Sequence, residues 1–303
     1  MTADNVTLAQ VVLHKGEVVS EFYGPEVTAQ TTLISWSMAK SMTHALVGIA
    51  QMDGLLNVAD SHLFPDWEAD DRRNITLQQL LEMRSGLSWV EDYVDGDSSD
   101  VIDMLFGSGK DDIAGYAITQ PLVTTPGAEW VYSSGTTNIV TRLLGNALGD
   151  AHGSHTNTER FIRTQLFDAI SMQAVPKFDA AGTFVGSSYV FATARDFAKF
   201  GQLYLRDGVC DGTRILPEGW VEHARTQHVF DAETGLGYGA HWWTLPGEHN
   251  SLVAAGYEGQ YIMVIPDRDL VVVRLGKTVA ALRNDVVAEL RGVIEQFPVI
   301  GER

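Results

Sequence analysis

A serine and a lysine three residues apart, Ser37 and Lys40, are the residues whose types and spacing most directly suggest chemistry. Residues i and i+3 lie on one face of a helix, so the hydroxyl and the amine would be neighbours ahead of an apolar helix predicted from about Met42. A lysine partly removed from water loses affinity for its proton and can act as a base toward an adjacent hydroxyl. The spacing therefore predicts an acyl-transfer pair. Because a serine and a lysine also meet at this spacing by chance, the prediction depends on the surrounding sequence.

Tyr132 is a candidate proton relay for such a pair. A turn at Pro126-Gly127 leads into a short aromatic stretch that presents Tyr132 and Ser134 on a loop before a helix predicted from Asn138. A tyrosine close to a protonated lysine would ionise more easily and could carry a proton to a leaving group. The alternative is a core tyrosine packed beside Trp130, which the local sequence alone favours.

Acyl transfer also needs hydrogen-bond donors for the developing oxyanion. Ser37, at the start of a helix, would supply one backbone N–H from a region where amides lack partners. The glycines within residues 254–260 would let a strand edge approach a substrate closely and supply the second donor. A bulged strand without a ligand is the alternative for this segment.

The charge of the chain argues against one class of partner. Its 303 residues carry a formal net charge of −18, and they show no cluster of Lys and Arg of the kind that phosphate contact needs. No apolar run approaches the length of a membrane span, and the first residues lack the basic start and apolar core of a signal peptide. We therefore expect a cytoplasmic protein with no nucleic-acid or membrane partner.

No metal or other cofactor is expected. His152 and His155 lie three residues apart in a polar loop, but no third ligand candidate is evident. The chain also lacks the Gly-x-Ser-x-Gly sequence that would favour a Ser-His-Asp triad. Cys210 is the single cysteine, so no internal disulfide can form.

The elements that must position these residues are predicted as strands near both ends of the chain and helices between them. The predicted strands are Val11–Leu13, Val18–Phe22, Tyr238–Trp243, Tyr261–Ile265 and Leu270–Leu275, and the first two would form a hairpin through Lys15-Gly16-Glu17. The predicted helices include one from about Met42 to Asp53, a short one opened by a capping box at Thr76 and Gln79, Asn138–Leu148 and Ala280–Glu295, and an irregular acidic stretch runs from Glu91 to Asp100. This order favours an α/β (α+β) fold. Residues 1–60 and 190–303 would form a sheet domain and residues 61–189 an inserted, mainly helical domain, with the catalytic cleft between them.

Several blocks follow one another along nearly the whole chain: Ile34–Ser41, Leu80–Leu87, Pro126–Ser134, Ala192–Asp196, Gly256–Gln260 and Val271–Arg274. Together they resemble the serine hydrolases related to class C β-lactamases and penicillin-recognising enzymes. The Gly-x-x-Gly-Gln form and the stretch Trp89–Tyr93 are most similar to the branch of 6-aminohexanoate-dimer hydrolases and family VIII carboxylesterases. The resemblance implies a β-lactamase/transpeptidase-like fold, in which helices flank an antiparallel sheet.

The same resemblance implies roles for the catalytic residues. Ser37 would be the nucleophile, Lys40 its base, and Tyr132 the tyrosine of the family's Tyr-x-Asn element. Ser134 stands where the family often has asparagine. Each of these residues lies inside one of the matching blocks, so each role is assigned from the residue at the corresponding position in the family.

The family's Lys-Thr-Gly element would fall on Ala254-Ala255-Gly256, where its cationic side chain is missing. The second oxyanion N–H would then belong to Tyr257. Expected substrate contacts are Tyr93, Ser134, Gly256, Gln260 and Trp243. The acidic residues of one loop would attract an ammonium group on a substrate, or they would form a plain solvated loop, which their composition favours: Glu91, Asp92, Asp95 and Asp97.

We therefore predict a serine hydrolase that cleaves small esters or amides through an acyl-enzyme on Ser37. The alternatives within the same fold are an amide hydrolase for 6-aminohexanoate oligomers, a β-lactamase, a D-amino-acid peptidase, or an acyl-binding sensor without turnover. The missing Lys-Thr-Gly cation argues against strong β-lactamase activity. The expected partner is a small-molecule substrate, and a homodimer is one candidate assembly, since the sequence does not determine the oligomeric state.

Overall fold

An eight-stranded antiparallel sheet takes its strands from both ends of the chain. The computed structural model describes residues 5–93 and 99–301. The strands are β1 (Asn5–His14), β2 (Glu17–Tyr23), β3 (Leu33–Ile34), β4 (Ala174–Pro176), β5 (Val190–Ala192), β6 (Val209–Cys210), β7 (Thr213–Arg214), β8 (Val229–Asp231), β9 (Leu236–Tyr238), β10 (Trp243–Thr244), β11 (Leu252–Gly256), β12 (Gln260–Ile265) and β13 (Leu270–Thr278). The order in the large sheet is β2-β1-β13-β12-β11-β10-β9-β8.

The helices lie between and beside these strands. They are α1 (Met38–Met52), α2 (Leu77–Leu81), α3 (Asp100–Phe106), α4 (Ile113–Ile118), α5 (Ser134–Ala147), α6 (Thr156–Phe161), α7 (Ala194–Leu205), α8 (Trp220–Arg225) and α9 (Arg283–Ile294). Within the described part of the chain, residues 61–189 contribute no strand to the large sheet. The division into two domains at residues 60 and 190 stays a prediction.

Local sequence signals produce several of these elements as predicted. The hairpin of β1 and β2 turns through Lys15 and Gly16, whose φ angles of 55° and 83° fit a two-residue turn that matches the strand twist. The capping box predicted for α2 is present, because Thr76 and Gln79 bond to each other's backbone N–H. These signals are contained in a few adjacent residues, which is why the sequence reveals them.

The predicted strand Tyr238–Trp243 is wrong. The chain leaves the sheet after Tyr238 and returns at Trp243, and these two residues pair as neighbours in the short strands β9 and β10. At the bend His241 has a φ of 55°, and a Cβ on Gly239 would lie 2.1 Å from the carbonyl oxygen of Ala224. The left-handed conformation of His241 therefore interrupts the extended backbone in this segment.

Helix α1 carries the predicted nucleophile and base, and it is buried on all sides from Met38 to Ala50. It begins at Met38 with Ser37 as its N-cap residue, earlier than the predicted start near Met42. It packs against α5, β11 and β12. A Cβ on Gly48 would lie 2.4 Å from Nε1 of Trp220, so the glycine lets that ring pack directly on the helix. Burial on every face fixes the direction in which the first turn of α1 points.

Buried histidines hold the middle of α1 in place. His44 bonds through Nδ1 to the Tyr204 hydroxyl at 2.8 Å and through Nε2 to Nδ1 of His223 at 3.0 Å. His241 bonds to Thr137 and to the Leu81 carbonyl. Burial is the main cause that holds the pKa of His44 well below its usual range and that lowers the pKa of His241 to about 3. These side chains are therefore neutral in the folded protein.

This burial predicts that the protein loses stability in mild acid. Above pH 6.5 both the folded and the unfolded states hold neutral histidines, so the stability is fully present. As the pH falls below 6.5, the unfolded chain binds protons that the buried imidazoles cannot, and the free energy of unfolding decreases. Between pH 7 and pH 5 we expect a loss of about 2 kcal/mol for each fully suppressed histidine. Urea unfolding at both pH values measures it.

The control for this prediction is His152→Gln, a change at an exposed histidine. It should leave the difference between pH 7 and pH 5 unchanged. His241→Gln, which cannot take up a proton, should reduce that difference even if the variant is less stable overall. Equal free energies of unfolding at the two pH values in the unmodified protein would contradict the argument.

Candidate active site

Ser37 lies at the N-terminus of α1 and opens onto a cavity of about 370 Å³. The residue before it, Trp36, has a φ of 43°, a left-handed conformation that is unfavourable for a bulky side chain. Contacts of its ring hold it there: Nε1 donates to Oε2 of Glu258 at 3.3 Å, and the ring meets Tyr257 edge-on at 5.8 Å. In the described part of the chain the Ser37 backbone N–H donates no hydrogen bond to the protein. It is therefore available to a substrate oxygen.

Lys40 is fully buried beneath Ser37. Its Nζ donates to Ser37 Oγ at 2.9 Å, to Ser134 Oγ at 2.9 Å and to the Ser187 carbonyl oxygen at 3.1 Å. The side chain of Asn138 holds Ser187 in turn, because it accepts from the Ser187 backbone N–H and donates to the Ser187 hydroxyl. Loss of water lowers the pKa of Lys40 to about 8, while the charge of Glu91 acts in the opposite direction. An amine in this setting can accept the Ser37 proton near neutral pH.

Tyr132 borders the cavity beside the same pair. The Lys40 Nζ lies 4.9 Å from the centre of its ring, and the ring packs against Trp243 and Tyr238 at 5.5 and 5.9 Å. Burial and the Glu91 charge raise the pKa of Tyr132, and the nearby Ser37 hydroxyl opposes this only in part. The expectation that Lys40 would make the phenol easier to ionise is therefore wrong. Tyr132 is a protonated phenol that can donate to a leaving group.

Glu91 is the member of the site that the sequence did not single out. Its Oε1 accepts from the Ser134 hydroxyl at 2.5 Å and from the Tyr93 hydroxyl at 3.0 Å. Its Oε2 accepts from the Ser134 backbone N–H at 2.8 Å and from Trp89 Nε1 at 2.6 Å. The solvated acidic loop favoured by composition is wrong at this residue. Its residues 94–98, which include Asp95 and Asp97, lie outside the described residues.

The turn between β11 and β12 faces the nucleophile. A Cβ on Gly256 would lie 3.1 Å from the Ser37 nitrogen and 2.6 Å from the Ser35 carbonyl oxygen, so only glycine allows this approach. The turn is fixed from behind, because the buried Arg274 donates to the Gly259 carbonyl at 2.6 Å. Tyr257 follows Gly256 directly, so its backbone N–H belongs to the residue next to this close approach, and its role as the second oxyanion donor stays a prediction.

Gln260 does not make the predicted substrate contact. Its side chain is only 2% exposed and bonds to Gly276 on β13 and to the Tyr257 carbonyl. Ser134 is likewise buried behind the cavity and reaches the site through Lys40 and Glu91. Both side chains use their polar atoms to hold other residues, so a substrate cannot reach them.

The other predicted residues do line the cavity: Ser37, Tyr93, Tyr132, Trp243, Gly256 and Tyr257. The Tyr93 ring stacks on the Tyr257 ring at 4.8 Å. The charged lining residues are mainly acidic: Glu91, Asp92, Asp231, Glu233, Glu258 and Arg283. The Arg283 guanidinium lies 3.8 Å from Glu233. The lining therefore carries an excess of negative charge.

Residues 5–93 and 99–301 hold no group of three or more His, Cys, Asp or Glu side chains placed to bind a metal ion. In the same residues no helix has the length and apolar character that crossing a bilayer needs. The cytoplasmic location and the homodimer stay predictions.

The lowered pKa of Lys40 predicts the pH dependence of Ser37 reactivity. As the pH falls below 8, an increasing fraction of the amine is protonated and cannot accept the serine proton, so the rate at which a fluorophosphonate labels Ser37 should rise with pH to a plateau, half-complete near pH 8. Intact-protein mass spectrometry at a series of pH values measures this rate, with Ser37→Ala as the unlabelled control. A rate that is constant from pH 6 to 9 would contradict the assignment of Lys40 as the base.

The chain is similar to several known proteins along most of its length. The chain is 25% identical over 289 residues to the 6-aminohexanoate-dimer hydrolase of Paenarthrobacter ureafaciens, which covers 90% of this chain and 73% of that protein. Among solved structures, a candidate 6-aminohexanoate-dimer hydrolase from Bacillus anthracis superposes with a TM-score of 0.80 at 21% identity, covering 97% of this chain and 81% of that one. A D-stereospecific amidohydrolase from Streptomyces gives a TM-score of 0.69 at 16% identity, covering 95% and 94%.

These likenesses confirm the predicted β-lactamase/transpeptidase-like fold, with its antiparallel sheet flanked by helices. The β-lactamase family profile matches residues 3–291, which is nearly the whole chain. The protein therefore belongs to the β-lactamase family of hydrolases.

Proposed function

We propose that the protein is a serine hydrolase that cleaves small esters or amides through an acyl-enzyme on Ser37. One observation carries this proposal: the buried Lys40 amine lies 2.9 Å from the Ser37 hydroxyl, and that hydroxyl opens onto a cavity large enough for a small molecule. The lysine and the serine are on adjacent turns of a helix that burial holds rigid.

The reaction would proceed in two halves. Lys40 takes the proton of Ser37 as Oγ attacks the carbonyl carbon, and the negative oxygen that forms is held by the backbone N–H groups of Ser37 and Tyr257. Tyr132, which is protonated, donates to the leaving group as the bond to it breaks, and Lys40 can resupply that proton. Water then attacks the acyl-enzyme and releases the acid. Esters place less demand on Tyr132 than amides, because an alkoxide or phenoxide is a much weaker base than the nitrogen anion that would leave from an amide.

Ser37→Ala should reduce the turnover of a short-chain nitrophenyl ester by at least about a thousandfold, because the variant cannot form the acyl-enzyme. Tyr132→Phe should lower the turnover of a matched anilide more than that of the ester, since the amine leaving group needs the proton. Steady-state rates with both substrates test this. Cys210, which lies outside the cavity lining, gives the control variant Cys210→Ser with unchanged rates.

Turnover by Ser37→Ala at a rate near that of the unmodified protein would contradict the proposal. A stoichiometric burst with no steady state would instead favour the acyl-binding sensor. Nitrocefin should be a poor substrate, because Ala254-Ala255-Gly256 offers no cationic side chain for the β-lactam carboxylate.

The charge of the cavity favours one substrate class within this function, amides or esters that carry an ammonium group. The carboxylates of Asp92, Asp231, Glu233 and Glu258 line it, while one guanidinium, Arg283, lies close to Glu233. Opposite charges raise the local concentration of a substrate and like charges exclude it. A 6-aminohexanoate-type amide has such an ammonium group, and the Paenarthrobacter relative is named for its dimer.

Nitrophenyl esters of 6-aminohexanoate and of hexanoate differ by this charge while their reacting groups are the same. We expect kcat/KM to be about tenfold higher for the amino ester at low ionic strength, and the difference to shrink in 0.5 M salt because surface charge is screened. Asp231→Asn should reduce the preference without changing kcat for the uncharged ester. An equal or lower kcat/KM for the amino ester would contradict the assignment.

A further inference from the structure

The arrangement around Lys40 raises the question of what keeps this amine oriented toward Ser37. A lysine side chain is flexible and its ammonium is a compact charge that can turn about its stem. Here all three N–H groups of the ammonium have an acceptor: Ser37, Ser134 and the Ser187 carbonyl. The Ser134 hydroxyl is the acceptor that must itself be oriented, because it can also turn and act as a donor.

Glu91 fixes that orientation. Its Oε1 accepts the Ser134 hydroxyl hydrogen at 2.5 Å, a distance typical of a charge-assisted bond, so the oxygen lone pairs of Ser134 are left for Lys40. Its Oε2 accepts from the Ser134 backbone N–H at the first residue of α5, where a negative charge is favoured. The carboxylate thus accepts hydrogen bonds from both the hydroxyl and the backbone N–H of Ser134.

The loop that brings Glu91 here is held by close packing. A Cβ on Gly135 would lie 2.4 Å from the Trp89 ring, so the glycine lets this ring rest directly on α5. The Trp89 indole N–H donates to Glu91, and so does the Tyr93 hydroxyl, whose ring stacks on Tyr257. One carboxylate therefore connects the base with the turn that supplies the proposed oxyanion donor.

We propose that Glu91, acting through Ser134, is a positioning residue that holds the lysine base toward Ser37 and sets the pH range in which that base works. The proposal rests on the proposed function only in taking Ser37 as the nucleophile and Lys40 as its base. The four hydrogen bonds of Glu91 go to Ser134, Tyr93 and Trp89. None of them involves Ser37, Lys40 or Tyr132, the groups that would react.

The charges near Lys40 determine the direction in which loss of the Glu91 carboxylate would shift the Lys40 pKa. The groups that face the amine are Ser37, Ser134, the Tyr132 ring at 4.9 Å and, by its influence, His241. Tyr132 keeps its proton and His241 is neutral, so Glu91 is the charged group that acts on the amine among the described residues. Its negative charge raises the pKa of Lys40 against the effect of burial. Removing the charge must therefore lower that pKa further.

The experiment is the rate of Ser37 labelling by a fluorophosphonate as a function of pH, in Glu91→Gln. We expect the midpoint of the increase in labelling rate with pH to move to lower pH by about one unit, because the ammonium loses its counter-charge. The plateau should fall by roughly tenfold to a hundredfold, since the weaker base is also less well oriented. A purely structural role would lower the plateau and leave the rise at the pH of the unmodified protein, which would overturn the proposal.

Three further variants separate charge from shape. Glu91→Asp keeps the charge on a shorter stem and should slow labelling while the rise stays near its original pH. Tyr93→Phe removes a hydrogen bond to Glu91 but keeps the charge and the ring, so it should not move the rise. Glu129→Gln makes the same change at an exposed carboxylate outside the cavity and should alter neither quantity. A shift in Glu91→Asp equal to that in Glu91→Gln would also overturn the proposal.

Ser134→Ala tests the connection itself and serves if Glu91→Gln does not fold. It should slow labelling and move the rise to lower pH, and adding Glu91→Gln to it should have less effect than in the unmodified protein. Fully additive effects would contradict an action through Ser134. Labelling does not require turnover, so a protein that is labelled but hydrolyses no ester fails the proposed function and still tests this inference.

Discussion

The burial of one amine beneath a helix N-terminus determines the chemistry of this protein. Lys40 lies 1% exposed between Ser37, Ser134 and the Ser187 carbonyl, and loss of water moves its pKa down to about 8. In water the same amine would be protonated almost completely at neutral pH and could not accept a proton from serine. Burial alone would make the charged form of the lysine too unfavourable. Three hydrogen-bond acceptors and a nearby carboxylate therefore stabilise the ammonium inside the protein.

The architecture serves this requirement from several directions. Helix α1 is enclosed on every side, and its histidine, His44, bonds to side chains from α7 and α8, so its first turn cannot shift without disturbing the core. Glycines at the contacts bring other elements unusually close: Gly256 brings the β11–β12 turn against Ser37, and Gly135 brings the Trp89 loop against α5. Arg274 then holds that turn from behind through the Gly259 carbonyl. The first turn of α1 and the segments packed against it are therefore held in place beneath a cavity whose lining is negatively charged.

Short-range patterns made part of this visible in the sequence. The Ser37–Lys40 spacing, the hairpin at Lys15-Gly16 and the capping box at Thr76 depend on residues a few positions apart, and the structure contains all three. The β-lactamase family could be recognised from the sequence because several short blocks of matching residues follow one another along the chain, and the family profile covers residues 3–291. The roles of the site residues inside those blocks are predictions that activity measurements must test.

Other features depend on contacts between distant residues and leave no local signal. Glu91 meets Ser134 across 43 positions of the sequence, and nothing in an acidic loop distinguishes a carboxylate that accepts hydrogen bonds within the protein from a solvated one. Gln260 sits in a matching block, but its partner Gly276 lies on the neighbouring strand, which turns the side chain away from the cavity. The bend at His241 is imposed by the Ala224 carbonyl and by a bond from the His241 backbone N–H to Leu81. Tertiary structure decides each of these against the local pattern.

In this site Lys40 is expected to lose its proton at a pH far below that of a lysine in water. An NMR titration of 15N-labelled lysine side chains, with the Lys40 signal assigned from Lys40→Met, tests this directly. We expect the Lys40 Nζ to titrate near pH 8. Titration at about 10.4, the value of a lysine in water, would contradict it.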